Sequence, residues 1–388
     1  YFPVKGEDAK GGRCYRRVEL TFVEPGHAET SASIISKWLE EDFTKHWERE
    51  KVTILVLINP FGGSRQAVEI WNKQVAPLLA KQPRITTEVV HTTHAGHAME
   101  IAKALDPEAY QVVATVSGDG LPHEFVNGVM QRDDADDVMR KLALAFIPAG
   151  SGNGVAAELG TIDPAVSAFC LCKGRRRPLD LMWTHQDEQD PQWCFLSVTW
   201  AIVADVDLGS EGLRWMGPAR FTFAAVKRIV EFREYDGILH YLPSEAVKGV
   251  RCTSSCDICK KGAPEGEGVL GDDLEWPPEL QKEEGLDPEK AEQEVQVGGR
   301  TWVRIRTKFI MFSAANVSML SFDACMAPYA HCSDGAIDLV YTSGSEVSRA
   351  DMLTTFLELE SGEFADQPRV QYRKARAFML QSLEERGR

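Results

Sequence analysis

Asp119 stands between Gly118 and Gly120, where an apolar run, Val112 to Val116, gives way to the helix-spaced residues His123, Glu124, Phe125, Val126, Asn127 and Met130. The run reads as a buried strand. Pro122 suits the first turn of the helix, where a missing N–H costs nothing. A glycine on each side lets a bulky anion come close to the backbone. The N–H groups at a helix start have no intrahelical partner and attract phosphate. A carboxylate aimed into such a cradle points to phosphoryl transfer onto a hydroxyl. The plain alternative is that Asp119 simply forms the turn.

Two further glycine loops share this setting. Asn59-Pro60-Phe61-Gly62-Gly63 follows a strand expected over Thr53 to Ile58, and Pro148-Ala149-Gly150-Ser151-Gly152-Asn153-Gly154 follows one over Leu142 to Ile147. Another strand is expected from Ile85 to Val90. Helices are expected from Ser64 to Ala80, Gly96 to Leu105, Val155 to Leu159 and Ala165 to Cys172. Strands and helices alternating in this way call for an α/β domain, a doubly wound parallel sheet with helices on both faces. Loops after parallel strands all lie on the carboxyl edge, where ligands bind in such sheets. The three glycine loops should therefore meet at one nucleotide site; taken singly, each could be an ordinary turn.

After Leu179 the texture changes. Residues 179–183, 194–204, 237–242, 301–313 and 336–342 read as strands rich in aromatic and β-branched residues, with helices at Pro218 to Glu234 and Met352 to Glu360. This predicts an antiparallel second domain. The amphipathic stretch Ser33 to Trp47 reads as a docked helix. The expected division is an N-terminal extension at 1–50, an α/β domain at 51–178 and the antiparallel domain at 179–388. Within the last, 252–300 is expected to be a disordered insertion, because it is rich in Glu, Gly and Pro and poor in large apolar groups.

The formal net charge of −15 argues against nucleic acid as a partner, and much of it is local. From Asp257 to Val297 there are thirteen acidic and four basic residues. No run of eighteen apolar residues occurs, so no spanning helix is expected. Nine cysteines, an odd number, fit a reducing, cytoplasmic setting better than a disulfide framework. Cys252, Cys256 and Cys259 form a C-x3-C-x2-C group, but zinc would need a fourth ligand and none lies nearby in sequence. Free thiols in a loop are the expectation there. His91, His94 and His97 likewise read as a solvated or phosphate-facing loop, so no protein-held metal is expected.

Several chemistries are excluded. There is no Gly-Lys pair, hence no P-loop. The protein-kinase catalytic-loop and Asp-Phe-Gly signatures are absent, as is a G-x-S-x-G elbow. His123 stands where a dinucleotide fingerprint needs its third glycine.

Taken in order, Asn59-Pro60-x-Gly62-Gly63, Ser117-Gly118-Asp119-Gly120-x-x-His123-Glu124-x-x-Asn127-Gly128 and Pro148-Ala149-Gly150-Ser151-Gly152-Asn153 resemble the catalytic domain shared by diacylglycerol, ceramide and sphingosine kinases. A fourth block, Ala204-Asp205-Val206-Asp207-Leu208-Gly209-Ser210-Glu211-Gly212-Leu213-Arg214 with Gly217 and Arg220-Phe221, resembles the sphingosine (long-chain base) kinases in particular. So does Ser333-Asp334-Gly335-x-x-Asp338-Leu339. The first 48 residues look like the end of the extension that precedes the core in fungal and plant forms. A start at Tyr1 rather than Met is what an excised piece would show. The family's usual Lys after the Gly-Gly pair is replaced by Ser64-Arg65, and its C-terminal Val-Asp-Gly-Glu strand is not in the sequence given.

The resemblance implies an α/β nucleotide domain followed by an antiparallel β-sandwich lipid-binding domain. It implies a kinase using ATP and Mg2+, with a sphingoid base as lipid substrate, peripheral membrane contact and room for a homodimer. By the same resemblance Asp119 is the base that takes the proton of the lipid's primary hydroxyl. Asn59, Pro60, Phe61, Gly62, Gly63, Thr92, Ser117, Gly118, Gly120, Glu124, Gly150, Ser151 and Gly152 line the ATP site, and Arg214 and Arg220 reach its phosphates. Asp207 holds the lipid head, with Ser117, Gly120 and Glu211 near it. Physical chemistry accommodates these roles. Two arginines can clamp a phosphate bidentately, and a sphingoid base has a cationic amine for Asp207 that ceramide lacks. The competing readings are solvated acids at 205, 207 and 211 and surface ion pairs at the arginines. Rival functions are a ceramide or diacylglycerol kinase and an inactive lipid-binding scaffold.

Overall fold

The computed structural model describes residues 2–7, 13–18, 51–63, 65–174, 176–186, 189–210, 212, 219–246, 249–252, 256–261, 274–277, 290–344 and 347–383. The helix expected over 33–47 lies outside them. The chain forms two compact units, one of residues 1–177 and 183–194, the other of 178–182 and 195–388. Residues 183–194, expected in the second domain, thus belong with the first unit.

The first unit opens with a hairpin, β1 (Phe2–Glu7) and β2 (Arg13–Val18). Its sheet is built from β3 (Val52–Ile58), β4 (Ile85–His91), β5 (Val112–Ser117) and β6 (Ala143–Pro148), all parallel, in the order β4-β3-β5-β6. Helices follow each strand: α1 (residues 67–79), α2 (His97–Ala104), α3 (Gly120–Val129), α4 (Ala135–Lys141), α5 (Gly154–Glu158) and α6 (Pro164–Cys172). The side-chain period of two explains the layering. Val52, Ile54, Val56 and Ile58 of β3 pack against Trp71, Val75 and Leu79 of α1 and Ala168 and Cys172 of α6. Leu55 and Leu57 pack on the other face against Ala98, Ala102, Phe125 and Val129 of α2 and α3. A strand buried on both faces reads as a continuous apolar run, as this one does. Helices α2 and α3 approach backbone to backbone: a Cβ on Gly128 would sit 2.5 Å from the Met99 carbonyl. Only glycine fits there, which accounts for the Asn127-Gly128 pair.

The second unit holds β9 (Ser197–Ala201), α7 (Ile202–Ser210), α8 (Ala219–Glu231), β10 (Tyr235–Pro243), α9 (Asp257–Lys261), β11 (Glu292–Val297), β12 (Arg300–Ala315), β13 (Ile337–Ser343), α10 (Arg349–Leu357) and β14 (Val370–Ser382). The strands make one antiparallel sheet in the order β10-β14-β13-β12-β11, and β10 also pairs with β12. The sixteen-residue β12 holds β10 and β11 along its first part and β13 and β9 along its second. Where a sandwich of two sheets was expected, the described strands form a single sheet closed on itself around Phe309, Phe312, Leu339 and Tyr341.

Two expectations are corrected here. Residues 202–204 continue not as strand but as α7, because Ala201 takes φ +59 and turns the chain out of β9. The insertion at 252–300 contains ordered pieces, α9 and β11. The last strand, β14, runs over thirteen residues to which the sequence reading assigns no element. Its basic residues hide a strand because Lys374 is not solvated: its Nζ lies 2.8 Å from both Asp334 Oδ2 and Asp338 Oδ2.

Candidate active site

In the first unit the three glycine loops follow β3, β5 and β6, which are neighbours in the sheet. The loops touch one another. A Cβ on Gly150 would lie 2.4 Å from Gly118 Cα, and one on Gly63 would lie 3.1 Å from Gly150 Cα. Backbones this close leave no room for side chains, so the glycines are dictated by packing. Gly120 is exposed with open space where its Cβ would be, and an incoming anion can reach the backbone there.

Each loop is held by its own side chains. Asn59 Oδ1 accepts hydrogen bonds from the N–H groups of Phe61 (2.9 Å) and Gly62 (3.1 Å), folding the loop past Pro60. That leaves the Phe61 ring 67% exposed at the tip. Arg65, at φ +60, extends the turn begun by Gly63 at φ +53; Ser64 lies outside the described residues. Thr92 is buried, and its Oγ1 donates to the Ile58 carbonyl at 3.4 Å. Glu124 Oε2 accepts from the Gly96 N–H at 3.1 Å, so Glu124 fastens the loop between β4 and α2. Ser117 Oγ donates to the Gly118 carbonyl at 2.7 Å. Asn153 braces the third loop, its Oδ1 accepting from Gly150 N–H at 3.2 Å and its Nδ2 donating to the Gly150 carbonyl at 3.0 Å. Ser151 and Gly152 sit half-buried between them.

Asp119 joins two of the loops. Its Oδ2 accepts from the Gly154 N–H at 2.8 Å and its Oδ1 from the Val155 N–H at 3.5 Å, at the start of α5. Burial pushes the Asp119 carboxyl above the usual aspartate range, against the pull of those two N–H groups. A carboxylate made more basic by its surroundings is suited to take up a proton near neutral pH. The cavity beneath it, between Thr115, Ser117, Phe146, Pro148 and Asn153, measures only about 10 Å³. That holds at most a water, so any larger ligand would have to lie on the open rim above the loops.

His94 stacks on His97 at 4.9 Å and its Nε2 lies 3.1 Å from Glu100. One motif residue does more than sequence reasoning assigned it. Asn127, buried in α3, accepts the Trp193 N–H at 2.8 Å and donates Nδ2 to the Trp193 carbonyl at 2.9 Å, tying residues 192–194 (β8, Gln192–Cys194, paired with β7, Met182–Thr184) to the first unit.

In the second unit the acidic block is helical. Asp205 Oδ2 accepts from the Tyr235 hydroxyl and lies 3.8 Å from Arg228 Nε, which spends this carboxylate on anchoring α7 to β10 and α8. Asp207 is exposed, as is Leu208 beside it. Arg220 is buried; its Nη1 donates to the Ser210 carbonyl at 3.4 Å and its guanidinium lies 4.3 Å from the Phe221 ring centre. The structure thus gives Arg220 a position between α8 and the end of α7. Glu211 and Arg214 lie outside the described residues.

Compared with known proteins, residues 53–184 match the family described as diacylglycerol kinase catalytic domain. Over 346 residues the chain is 31% identical to human sphingosine kinase 1, covering 86% of this chain and 83% of that protein. It is 32% identical to sphingosine kinase 1 of Arabidopsis thaliana over 333 residues, and 37% identical to sphingoid long chain base kinase 5 of Saccharomyces cerevisiae over 213. The chain spans 64% of the length of that plant relative and 31% of the yeast one. A crystal structure of a putative diacylglycerol kinase from Bacillus anthracis superposes with a TM-score of 0.55 at 15% identity, covering 87% of this chain and 88% of that one, a likeness of fold.

Proposed function

This chain belongs to the sphingosine kinase family, whose members share the diacylglycerol-kinase-type catalytic domain, and we propose that it transfers the γ-phosphate of ATP to the primary hydroxyl of a sphingoid base. The observation that carries this reading is the position of Asp119. It is a half-buried, more basic carboxylate where three glycine loops meet on one sheet edge. Phosphoryl transfer passes through a loose transition state, so holding the phosphates and the attacking oxygen in line supplies most of the rate. The loop backbones would take the phosphates, and Asp119 would accept the hydroxyl proton as the O–P bond forms.

The donor chemistry of the rim suits a magnesium ion carried by ATP. Asp119 is the carboxylate among the described residues of these loops, and Glu124 of α3 is already fastening Gly96. Magnesium bound chiefly by phosphate oxygens and water, with few protein carboxylates, needs no dedicated cage.

Asp207 is the group we assign to the head-group amine. A free sphingoid base is cationic and gains a charge-assisted hydrogen bond from a carboxylate; an amide nitrogen does not. Asp207→Asn is expected to cut kcat/KM for a sphingoid base about tenfold or more, the worth of one such bond. The rate on an N-acylated analogue should hardly change. Equal losses on both substrates, or none, would refute a role for Asp207 in reading the amine.

The substrate dissolves in membranes, and we assign the protein reversible contact with a membrane surface. Among the described residues no helix is long and apolar enough to cross a membrane. Phe223, Val226 and Val230 of α8 and Leu353 and Leu357 of α10 instead leave apolar surface exposed. Helices of this kind lie in the headgroup region rather than span it.

A further inference from the structure

The C-x3-C-x2-C group that lacks a fourth ligand in the sequence acquires one in the fold. His331 stands 72 residues beyond Cys259, and folding places it among the thiols. One ligand atom from each of Cys252, Cys256, Cys259 and His331 lies within 4.8 Å of all the others. The geometry points to a zinc-binding centre made by these four residues, a closed Cys3His site in the second unit.

The ligand atoms already lie within a few tenths of an ångström of the spacing of a zinc cage, on the close side of it. Tetrahedral zinc with sulfur at about 2.3 Å and nitrogen at about 2.0 Å sets ligand atoms roughly 3.5–3.8 Å apart. Here Cys256 Sγ lies 3.3 Å and Cys259 Sγ 3.6 Å from His331 Nδ1, and Cys252 Sγ lies 3.2 Å from Cys259 Sγ. The imidazole is oriented for ligation. Its Nε2 lies 3.0 Å from the Val250 carbonyl, which can only accept, so Nε2 carries the proton. Nδ1 is then left with its lone pair towards the thiols. A backbone carbonyl fixing the tautomer in this way is the usual support of a metal-binding histidine.

Burial supports the same assignment. Cys259 and His331 have no exposed surface and Cys256 has 8%. Val317, Cys332 and Leu196 surround them with apolar groups. Thiols alone could fill such a pocket as small hydrophobes. That would not explain an imidazole buried at the meeting point of three sulfurs. A Cys252–Cys259 disulfide would require about 2.05 Å between the sulfurs, and it would leave Cys256 and His331 without a task.

All four coordination positions are taken by protein, so the site is structural and not catalytic. Its place in the fold says what it fastens. Cys252 and α9 open the acidic stretch. Arg251 beside them donates to the carbonyls of Ser361 (2.9 Å) and Gly362 (3.3 Å) and pairs with Asp366. His331 lies just ahead of Asp334, one of the two carboxylates that hold Lys374 in β14. Zinc would pin the start of the acidic stretch to the body of the antiparallel sheet, adding its binding energy to folding.

The test is metal content, read without any kinase assay. Protein purified without a metal-affinity tag should carry about one zinc per chain through gel filtration, and should release it to a chromogenic chelator when its thiols are blocked. His331→Ala and Cys256→Ser should lose the zinc, whereas His331→Cys should retain it and Cys332→Ser should leave it unchanged. Cobalt(II) in place of zinc should give the visible absorption of a tetrahedral thiolate site. Wild-type protein that is folded yet binds neither zinc nor cobalt in reducing buffer would overturn the assignment. So would a Cys252–Cys259 disulfide in protein made under reducing conditions, or zinc retained undiminished by the His331→Ala and Cys256→Ser variants. The wild-type measurement stands even where a variant fails to fold.

Discussion

Replacing Asp119 with Asn is expected to lower turnover by about 100-fold or more, within the range lost when a general base is removed. The substitution separates chemistry from architecture. An asparagine Oδ1 can still accept the Gly154 N–H that Asp119 Oδ2 accepts at 2.8 Å, so the two loops stay joined. What disappears is the capacity to take up a proton. ATP affinity and the unfolding midpoint should therefore change little while kcat collapses. The wild-type pH profile should show the same group. As the proposed base Asp119 would act only when ionised, and burial has raised its pKa. kcat/KM should accordingly fall as the pH is lowered through a value above the ordinary aspartate range, and this acidic limb should vanish from the residual activity of the variant. Turnover unchanged by Asp119→Asn would remove the residue from the mechanism.

The second large effect is on stability. Lys374→Met is expected to cost roughly 3–5 kcal/mol, the penalty for stripping the partner from a buried charge. Methionine keeps most of the side-chain volume, so the loss reports charge and not a cavity. Lys374 has no exposed side-chain surface, and its Nζ bridges Asp334 and Asp338. Asp338 also accepts the Tyr372 hydroxyl at 2.7 Å. Burial pushes the Asp338 carboxyl up to about 6 despite the pull of Lys374 and Tyr372. For Lys374 burial opposes the charge, yet the two carboxylates together hold its pKa above the ordinary lysine value. Without the ammonium, Asp338 is a lone buried carboxylate that must ionise at a cost or stay protonated. The deficit of the variant should therefore be largest at neutral to alkaline pH and should shrink as the pH falls through the raised pKa of Asp338. Urea unfolding of wild type and variant at several pH values measures this. A difference no larger than the fraction of a kcal/mol typical of an exposed ion pair would show that the cluster carries little of the fold.

The parts of this protein that could be read in the sequence are those with short-range signatures. Thr53 to Ile58 announces a strand, and Gly62-Gly63, Gly118-Asp119-Gly120 and Gly150-Ser151-Gly152 mark three strand ends. The parallel topology then places them on one edge. What was hidden depends on partners far along the chain. Nothing near Cys259 announces His331. β14 is not marked in the sequence, because the carboxylates that neutralise Lys374, Asp334 and Asp338, stand 40 and 36 residues away. Ile202 and Val203 favour a strand by propensity, and only the φ of Ala201 shows that the chain turns into a helix instead. Asp119 was legible as an acid in a turn, but its link to Gly154 was not, since that contact joins loops 35 residues apart. Asp205 and Asp207 look alike in sequence; the Tyr235 hydroxyl, far along the chain, marks Asp205 as an anchoring residue.

The most direct measurement of the central claim is to incubate the purified protein with γ-labelled ATP and magnesium, offering sphinganine, sphingosine, ceramide and diacylglycerol in mixed micelles. The label should appear in sphingoid-base 1-phosphates, with little in ceramide 1-phosphate or phosphatidic acid, and none should appear with Asp119→Asn beyond its residual rate. Label passing mainly to ceramide or diacylglycerol, or to no lipid at all from a folded protein that binds ATP, would contradict the account.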